Sequence, residues 1–328
     1  MDVAELGSRV NPVMEELLLE TLDPFFHDLI LYCVKTGGKR LRPALLLFLC
    51  KAFGGDVDRA LIPAAGIELI HQYSLIVDDI IDHGVIRRGK ETVIEKFGNS
   101  ITECVHFYYA SAVVRAALKS GVMSITDSFQ RILSLVSQGE MFDILFEQSG
   151  HEKFAVKQRF TKISVDDYYN MIYLKSAVIF EEACFLGAML ANASKTQLGL
   201  CKRFGREFGL ILQLTDDLLD VFGDESKFGK KIGKDFIEHK MGNLVILHAL
   251  KSDDSGMLKD ILSKDCVSDE DVSKATVFVE GTGAHEYVAS EIKNHVQEAL
   301  SIISEFKISD SDKDSLKGFI SFLAGREV

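Results

Sequence analysis

Three aspartates close an apolar run from Ile67 to Val77 in the segment Asp78-Asp79-Ile80-Ile81-Asp82. At 3.6 residues per turn Asp78 and Asp82 share one helix face, with His71, Ser74 and Leu75 continuing it backwards. The arrangement recurs as Asp216-Asp217-Leu218-Leu219-Asp220, which closes the apolar run Phe208 to Thr215 with Gln213 a turn before Asp217. Acidic side chains favour helix N-termini, yet these six follow apolar helical runs, so a compensating cation is expected. Hard divalent cations take oxygen ligands, and Mg²⁺ in particular takes one or two carboxylates, several waters and substrate phosphates. One such run reads more simply as a solvated acidic helix end. Two of them carry the reading of a Mg²⁺-bridged phosphate site.

An anion in so acidic a protein needs cations near it. Two unit charges 4 Å apart interact by about 4 kcal/mol at an effective dielectric near 20, and the chain has a net charge of −12. In Gly38-Lys39-Arg40-Leu41-Arg42-Pro43, Lys39 and Arg42 are three apart at the mouth of an apolar helix and can reach one anion. Position 33 is Cys, so this is not a Walker loop. Arg87-Arg88-Gly89 follows the first acidic run; adjacent residues point differently, so the arginines either serve two anions or form a solvated basic turn. Lys175 lies beside Ser176 in the apolar stretch Tyr168 to Ala193, where an anionic partner or snorkelling must accommodate it. Lys227, Lys230, Lys231, Lys234 and Lys240 surround Asp235 after the second run, as a lid over phosphate or a plain charged loop. Gly281-Thr282-Gly283 lacks the third glycine of a dinucleotide loop, and neither HExxH nor GxSxG occurs.

The elements that must position these residues are helices. The four prolines, Pro12, Pro24, Pro43 and Pro63, all lie in the first 63 of 328 residues, and hydrophobic residues make up 47% of the chain. Long proline-free runs suit an all-α protein with a sizeable core. Helical spacing covers Val13 to Ile30, Leu41 to Phe53, Asp58 to Asp82, Asn99 to Leu118, Ile125 to Gln148, Val165 to Ala193 and Gln197 to Val221. No linker interrupts them, so a single helical domain over 1–328 is expected. The negative charge argues against nucleic acid. The six cysteines show no zinc spacing and read as core or free thiols of a reducing compartment. The N-terminal residues lack a signal pattern, and the longest charge-free run, Ala183 to Ser194, is twelve residues. The expectation is a cytoplasmic protein without a transmembrane segment.

Taken together, GGKRLRP at 37–43, ELIHQYSLIVDDIID at 68–82, RRG at 87–89, LKSA at 174–177, LQLTDDLLD at 212–220 and GKKIGKDFIEHK at 229–240 resemble the trans-isoprenyl diphosphate synthase, or polyprenyl synthetase, family. The resemblance implies a bundle of ten or more helices around a central cavity, usually a homodimer, that joins an allylic diphosphate head to tail to isopentenyl diphosphate. By the same resemblance Asp78, Asp82 and Asp216 bind Mg²⁺, three ions per active site, with Asp79, Asp217 and Asp220 in support. Arg87, Lys175, Gln213, Lys230 and Lys240 hold the allylic diphosphate or its developing charge, Lys39, Arg42, His71 and Arg88 hold isopentenyl diphosphate, and Ser176 faces the positive carbon.

Product length follows from the same resemblance. Tyr73, five residues before Asp78 and about 7.5 Å along the helix axis, is a floor for the growing tail, with small Ser74 above it. This pattern implies a geranylgeranyl (twenty-carbon) product, then farnesyl (fifteen-carbon), and the bulky His106 to Tyr109 cluster shortens it. The stretch Cys104-Val105-His106-Phe107-Tyr108-Tyr109 stands where a Gly-Asp pair is common in the family. Met241-Gly242-Asn243-Leu244 stands where Thr-Leu-Pro is usual, and Glu91 replaces a proline before Thr92. Two alternatives follow. A class I terpene cyclase needs no second diphosphate site, which Lys39, Arg42 and the second acidic run oppose. A non-catalytic subunit of a hetero-oligomeric synthase fits the lost Gly-Asp but not six retained aspartates.

Overall fold

The run Ala44-Leu45-Leu46-Leu47-Phe48-Leu49-Cys50 has no polar face, and a helix apolar all round must be covered on every side. The computed structural model describes residues 3–146, 162–223 and 232–325, and there this run is buried within helix α4. The helices, in order, are α1 (Val3–Ser8), α2 (Val10–Leu19), α3 (His27–Lys35), α4 (Leu41–Ala52), α5 (Val57–Ile81), α6 (Val93–Phe97), α7 (Asn99–Ser120), α8 (Met123–Phe146) and α9 (Val165–Ile172). They continue with α10 (Val178–Leu190), α11 (Lys195–Phe222), α12 (Lys234–Ile237), α13 (Leu244–Leu250), α14 (Met257–Leu262), α15 (Asp269–Glu280), α16 (Ala284–Glu305) and α17 (Asp310–Ala324). Among the described residues the only sheet is the hairpin of β1 (Ile86–Arg87) and β2 (Lys90–Glu91). The fold is all-α, as expected.

The described residues divide into two compact units: those up to 134 with 178–205 and 305–313, and those among 135–177, 206–304 and 314–325. In the first, α5 is packed by α2, α4, α7 and α10, and α4 is packed in turn by α1 and α10. Two glycines permit these approaches. A Cβ at Gly66 of α5 would lie 3.1 Å from Ala116 Cβ of α7 and run into the Phe129 ring of α8, and one at Gly187 of α10 would run into the Leu46 carbonyl oxygen of α4. Among the described residues α5 alone is long and apolar enough to cross a membrane, and most of its apolar window is buried in the protein. It is a core helix by its contacts. In the second unit α13 packs on α9 and α15, and the buried rings of Tyr168, Phe208 and Phe236 sit in its core.

Two helical patterns are broken where the spacing alone ran on. Val13 to Ile30 divides at Asp23-Pro24, where the Asp23 carboxylate accepts from the Phe25 N–H (2.9 Å) and a short 3-10 turn begins. Proline has no N–H to continue a helix, and it disfavours helical geometry in the residue before it. Val165 to Ala193 is interrupted by a π-helical turn, Tyr173–Ala177. The Cys33, Cys50, Cys184 and Cys201 thiols are buried and free, and Cys104 and Cys266 are exposed and free.

Gly187→Ala drives a methyl into the α4 backbone, which cannot rotate away as a side chain can. We expect a loss of about 1–3 kcal/mol in urea unfolding, with the active-site residues unchanged.

Candidate active site

The acidic end of α5 lies in the first unit. Asp79 is buried, while Asp78 and Asp82 are partly exposed; the Asp82 N–H closes the helix on the Asp78 carbonyl at 2.8 Å. Arg87 Nε donates to Asp79 Oδ1 at 2.9 Å, and its Nη2 lies 2.8 Å from that oxygen and 3.4 Å from Asp78 Oδ2. Burial disfavours the Arg87 charge, but Asp79 and Asp78 outweigh it, and its pKa lies above the usual guanidinium value.

A tight hairpin delivers that arginine. Arg87 pairs with Lys90, and the two residues linking them, Arg88 (φ 54°) and Gly89 (φ 73°), are both left-handed, as a type I′ turn requires. Ile86 pairs with Glu91 and the next ladder bond is Thr92 N–H to Val85 O at 3.0 Å, so the Glu91 N–H falls between ladder bonds. A residue with an N–H therefore stands in place of the family's proline without altering the ladder.

The same turn carries Arg88 to the glycine loop. Arg88 Nη1 donates to the Gly37 carbonyl, and a Cβ at Gly38 would fall 2.7 Å from Nη1. Lys39 on that loop is exposed, and the Arg42 guanidinium lies 4.4 Å from the centre of the Phe180 ring. Burial, then the charges of Arg42 and Arg88, push the His71 pKa well below 6.5, so its imidazole is neutral. Arg42, His71 and Arg88 are thus brought into one electropositive neighbourhood.

Sequence spacing missed the residue that builds this corner. Arg40, left-handed at φ 50° and buried, places Nη1 2.7 Å from Glu68 Oε1, donates Nη2 to Val34 O (3.0 Å) and Nε to Asn11 Oδ1 (3.0 Å). Gln72 also donates to Glu68 Oε1, at 2.8 Å. Arg40 belongs to the basic stretch Lys39 to Arg42, but its left-handed backbone turns it inward. The Tyr73 ring stacks on His106 with centroids 4.3 Å apart and planes 22° off parallel, so the residue that departs from the family's Gly-Asp backs the residue expected to be a floor. The Ser74 hydroxyl donates to the His71 carbonyl at 2.9 Å.

The second unit repeats the layout. Asp217 is buried at 3% exposure and Asp216 and Asp220 are partly exposed. Asp217 Oδ2 accepts from Tyr168 OH at 2.7 Å and from the Leu244 N–H at 2.8 Å, and Oδ1 accepts from Gln213 Nε2 at 3.2 Å. Asp220 Oδ2 accepts from the Asp235 N–H at 3.1 Å. Burial and then the Asp235 charge push Asp217 up to about 8, and raise Asp220 as well.

Lys175 lies in the π-helical turn beside half-buried Ser176, and Nζ is 2.7 Å from Asp143 Oδ2 and 2.9 Å from Glu140 Oε2. Lys240 Nζ reaches the same Asp143 oxygen at 3.7 Å and Glu238 at 3.4 Å. The two lysines meet on a carboxylate that the motif reading passed over. Gly139 makes this possible, since a Cβ there would lie 2.3 Å from the Lys175 backbone nitrogen. The signal in the sequence was Gly139-Glu140 followed by Asp143 on one helical turn. Lys227, Lys230 and Lys231 lie outside the described residues.

Among the described residues no group of three or more His, Cys, Asp and Glu side chains forms a ready metal cage. Each run offers two partly exposed carboxylates a turn apart beside one buried aspartate. That donor set fits Mg²⁺ completed by water and phosphate rather than an all-protein site.

The structure is an all-α protein that carries the same acidic helix-end layout twice. The chain belongs to the polyprenyl synthetase family, whose profile matches residues 23–279. It is similar to the short chain isoprenyl diphosphate synthase of Methanothermobacter thermautotrophicus, 29% identical over 100% of this chain and 99% of that one. It is also similar to the geranylgeranyl diphosphate synthase of Sulfolobus acidocaldarius, 28% identical over 98% and 97%. A crystal structure of a geranylgeranyl pyrophosphate synthase superimposes with a TM-score of 0.89 over all of both chains at 28% identity.

Arg40→Met strands Glu68 in the interior. We expect a loss of about 3–5 kcal/mol in denaturant unfolding, with much of it recovered when Glu68→Leu is added.

Proposed function

We propose that the chain is a Mg²⁺-dependent prenyltransferase that condenses isopentenyl diphosphate head to tail with an allylic diphosphate and releases a short-chain product, geranylgeranyl diphosphate first and farnesyl diphosphate next. The observation that carries this reading is the layout found twice, one buried aspartate locked by donors and two half-exposed ones a turn apart. Family membership gives the layout its chemistry.

In this reading Asp78, Asp82 and Asp216 hold the Mg²⁺, which neutralises the leaving diphosphate when bound. Arg87, Lys175, Lys230 and Lys240 take up charge as the allylic C–O bond breaks, and Gln213 steadies Asp217. Lys39, Arg42 and Arg88 bind isopentenyl diphosphate, and neutral His71 contributes a hydrogen bond without adding charge. The isopentenyl double bond forms the new C–C bond, and the released diphosphate accepts the proton lost beside it. No protein nucleophile is needed; Ser176 and main-chain carbonyls face the cation, and apolar surroundings keep water away. The Tyr73–His106 stack sets the length of the tail.

The working form is a homodimer in a reducing compartment. Phe107 (73% exposed), Val114 and Leu118 (72% exposed) lie along α7, and a second copy is the occupant proposed for them. The free cysteines support the compartment.

Purified protein given isopentenyl diphosphate with dimethylallyl, geranyl or farnesyl diphosphate and Mg²⁺ should form longer diphosphates, and chelation should stop it. Hydrocarbon instead of diphosphate products would replace this reading with a cyclase. Asp78→Asn should slow turnover by at least about 100-fold. Tyr73→Ala should lengthen the product, and Tyr73→Ala with His106→Ala should lengthen it further; products no longer than wild type would remove the floor.

A further inference from the structure

The corner between α12 and α13 departs from the family pattern, and the departure reaches the second acidic run. Asn243 is the N-cap of α13: its Oδ1 accepts from the Val245 N–H at 2.8 Å and the Ile246 N–H at 3.4 Å. Its Nδ2 faces the other way, donating to Asp235 Oδ2 at 2.8 Å and to the Asp217 carbonyl at 3.3 Å. One fully buried amide thus caps a helix with its acceptor and ties two acidic segments with its donor.

Leu244, the first residue inside α13, adds a contact no proline can make. The first turn of a helix leaves its N–H groups without intrahelical partners, and proline is common at this first position because it has none to leave. Here the position keeps an N–H, and it points at Asp217 Oδ2 at 2.8 Å. The helix start also favours the carboxylate through the macrodipole. Tyr168 OH and Gln213 Nε2 supply the other donors to this carboxylate.

We propose that the Asn243–Leu244 corner is a positioning element for the second aspartate-rich run, holding Asp217 and Asp235 so that Asp216 and Asp220 present their carboxylates to a metal-bound diphosphate. Asn243 and Leu244 touch neither substrate nor metal; they act through Asp217 and Asp235. This rests on the proposed function, in which that run binds Mg²⁺.

Leu244→Pro is the selective test. Proline suits the first helical position, and the preceding Asn243 (φ −120°, ψ 127°) already has the extended backbone that a following proline demands. The variant therefore removes one donor while leaving the helix start intact. Leu244→Val keeps the N–H and reports the cost of lost side-chain volume. Asn243→Ser keeps a cap acceptor, removes the amide donor without adding a buried charge, and gives an independent answer where Leu244→Pro fails to fold.

The readout is the rise in unfolding temperature produced by Mg²⁺ with inorganic diphosphate, alongside the Mg²⁺ dependence of turnover. Wild type and Leu244→Val should show the full rise. Leu244→Pro and Asn243→Ser should bind the pair about tenfold or more weakly and need correspondingly more Mg²⁺ for half-maximal rate. A rise in Leu244→Pro or, if that variant does not fold, in Asn243→Ser equal to that of Leu244→Val overturns the positioning role while leaving the proposed function standing. A wild type with no rise removes the proposed function and this inference with it.

Discussion

Carboxylates at the end of an apolar helix are the constraint on which the rest depends. The C-terminal turn already carries partial negative charge, and burial removes the water that would otherwise screen more of it. Each unit meets this with the same division of labour. One aspartate turns inward and is satisfied by fixed donors, Arg87 for Asp79 and the Tyr168, Gln213 and Leu244 set for Asp217. Its neighbours a turn apart stay partly exposed at the helix end. The inward residue ties its helix end to the rest of its unit.

Those anchors come from unlike parts, and stiffness follows from where they sit. Arg87 is fixed by a two-residue turn whose geometry few sequences tolerate, and the turn is itself pinned through Arg88 to the Gly37 carbonyl. Asp217 is fixed by a tyrosine buried in α9 and by the start of α13, both part of the second unit's core. A site held this way keeps its geometry before any substrate arrives, which is where electrostatic catalysis gains most.

Much of this was legible in the residues. The apolar periodicity and the confinement of proline to the first 63 residues gave long helices, and the doubled acidic spacing gave the two helix ends with which partly exposed pairs they carry. Partners distant in sequence were not legible. Asp143 meets Lys175 from 32 residues away, and no spacing rule connects a residue before a loop to one after it. Arg40 escaped for another reason: only its left-handed backbone turns it from the cationic loop toward Glu68, and backbone sign is invisible in a basic tripeptide. The break at Pro24 was written in the sequence, while the π-helical turn at Tyr173–Ala177 was not, since no proline or glycine marks it.

That π-helical turn has an evolutionary consequence. A π turn inside an α-helix is equivalent to one inserted residue, so a single-codon deletion there would restore regular winding. Each residue of an α-helix turns by about 100°, and the deletion would swing the Lys175 ammonium off the Asp143 side of its helix while leaving every lysine in the gene. The direction of this cation thus depends on the length of the turn as much as on the identity of the residue.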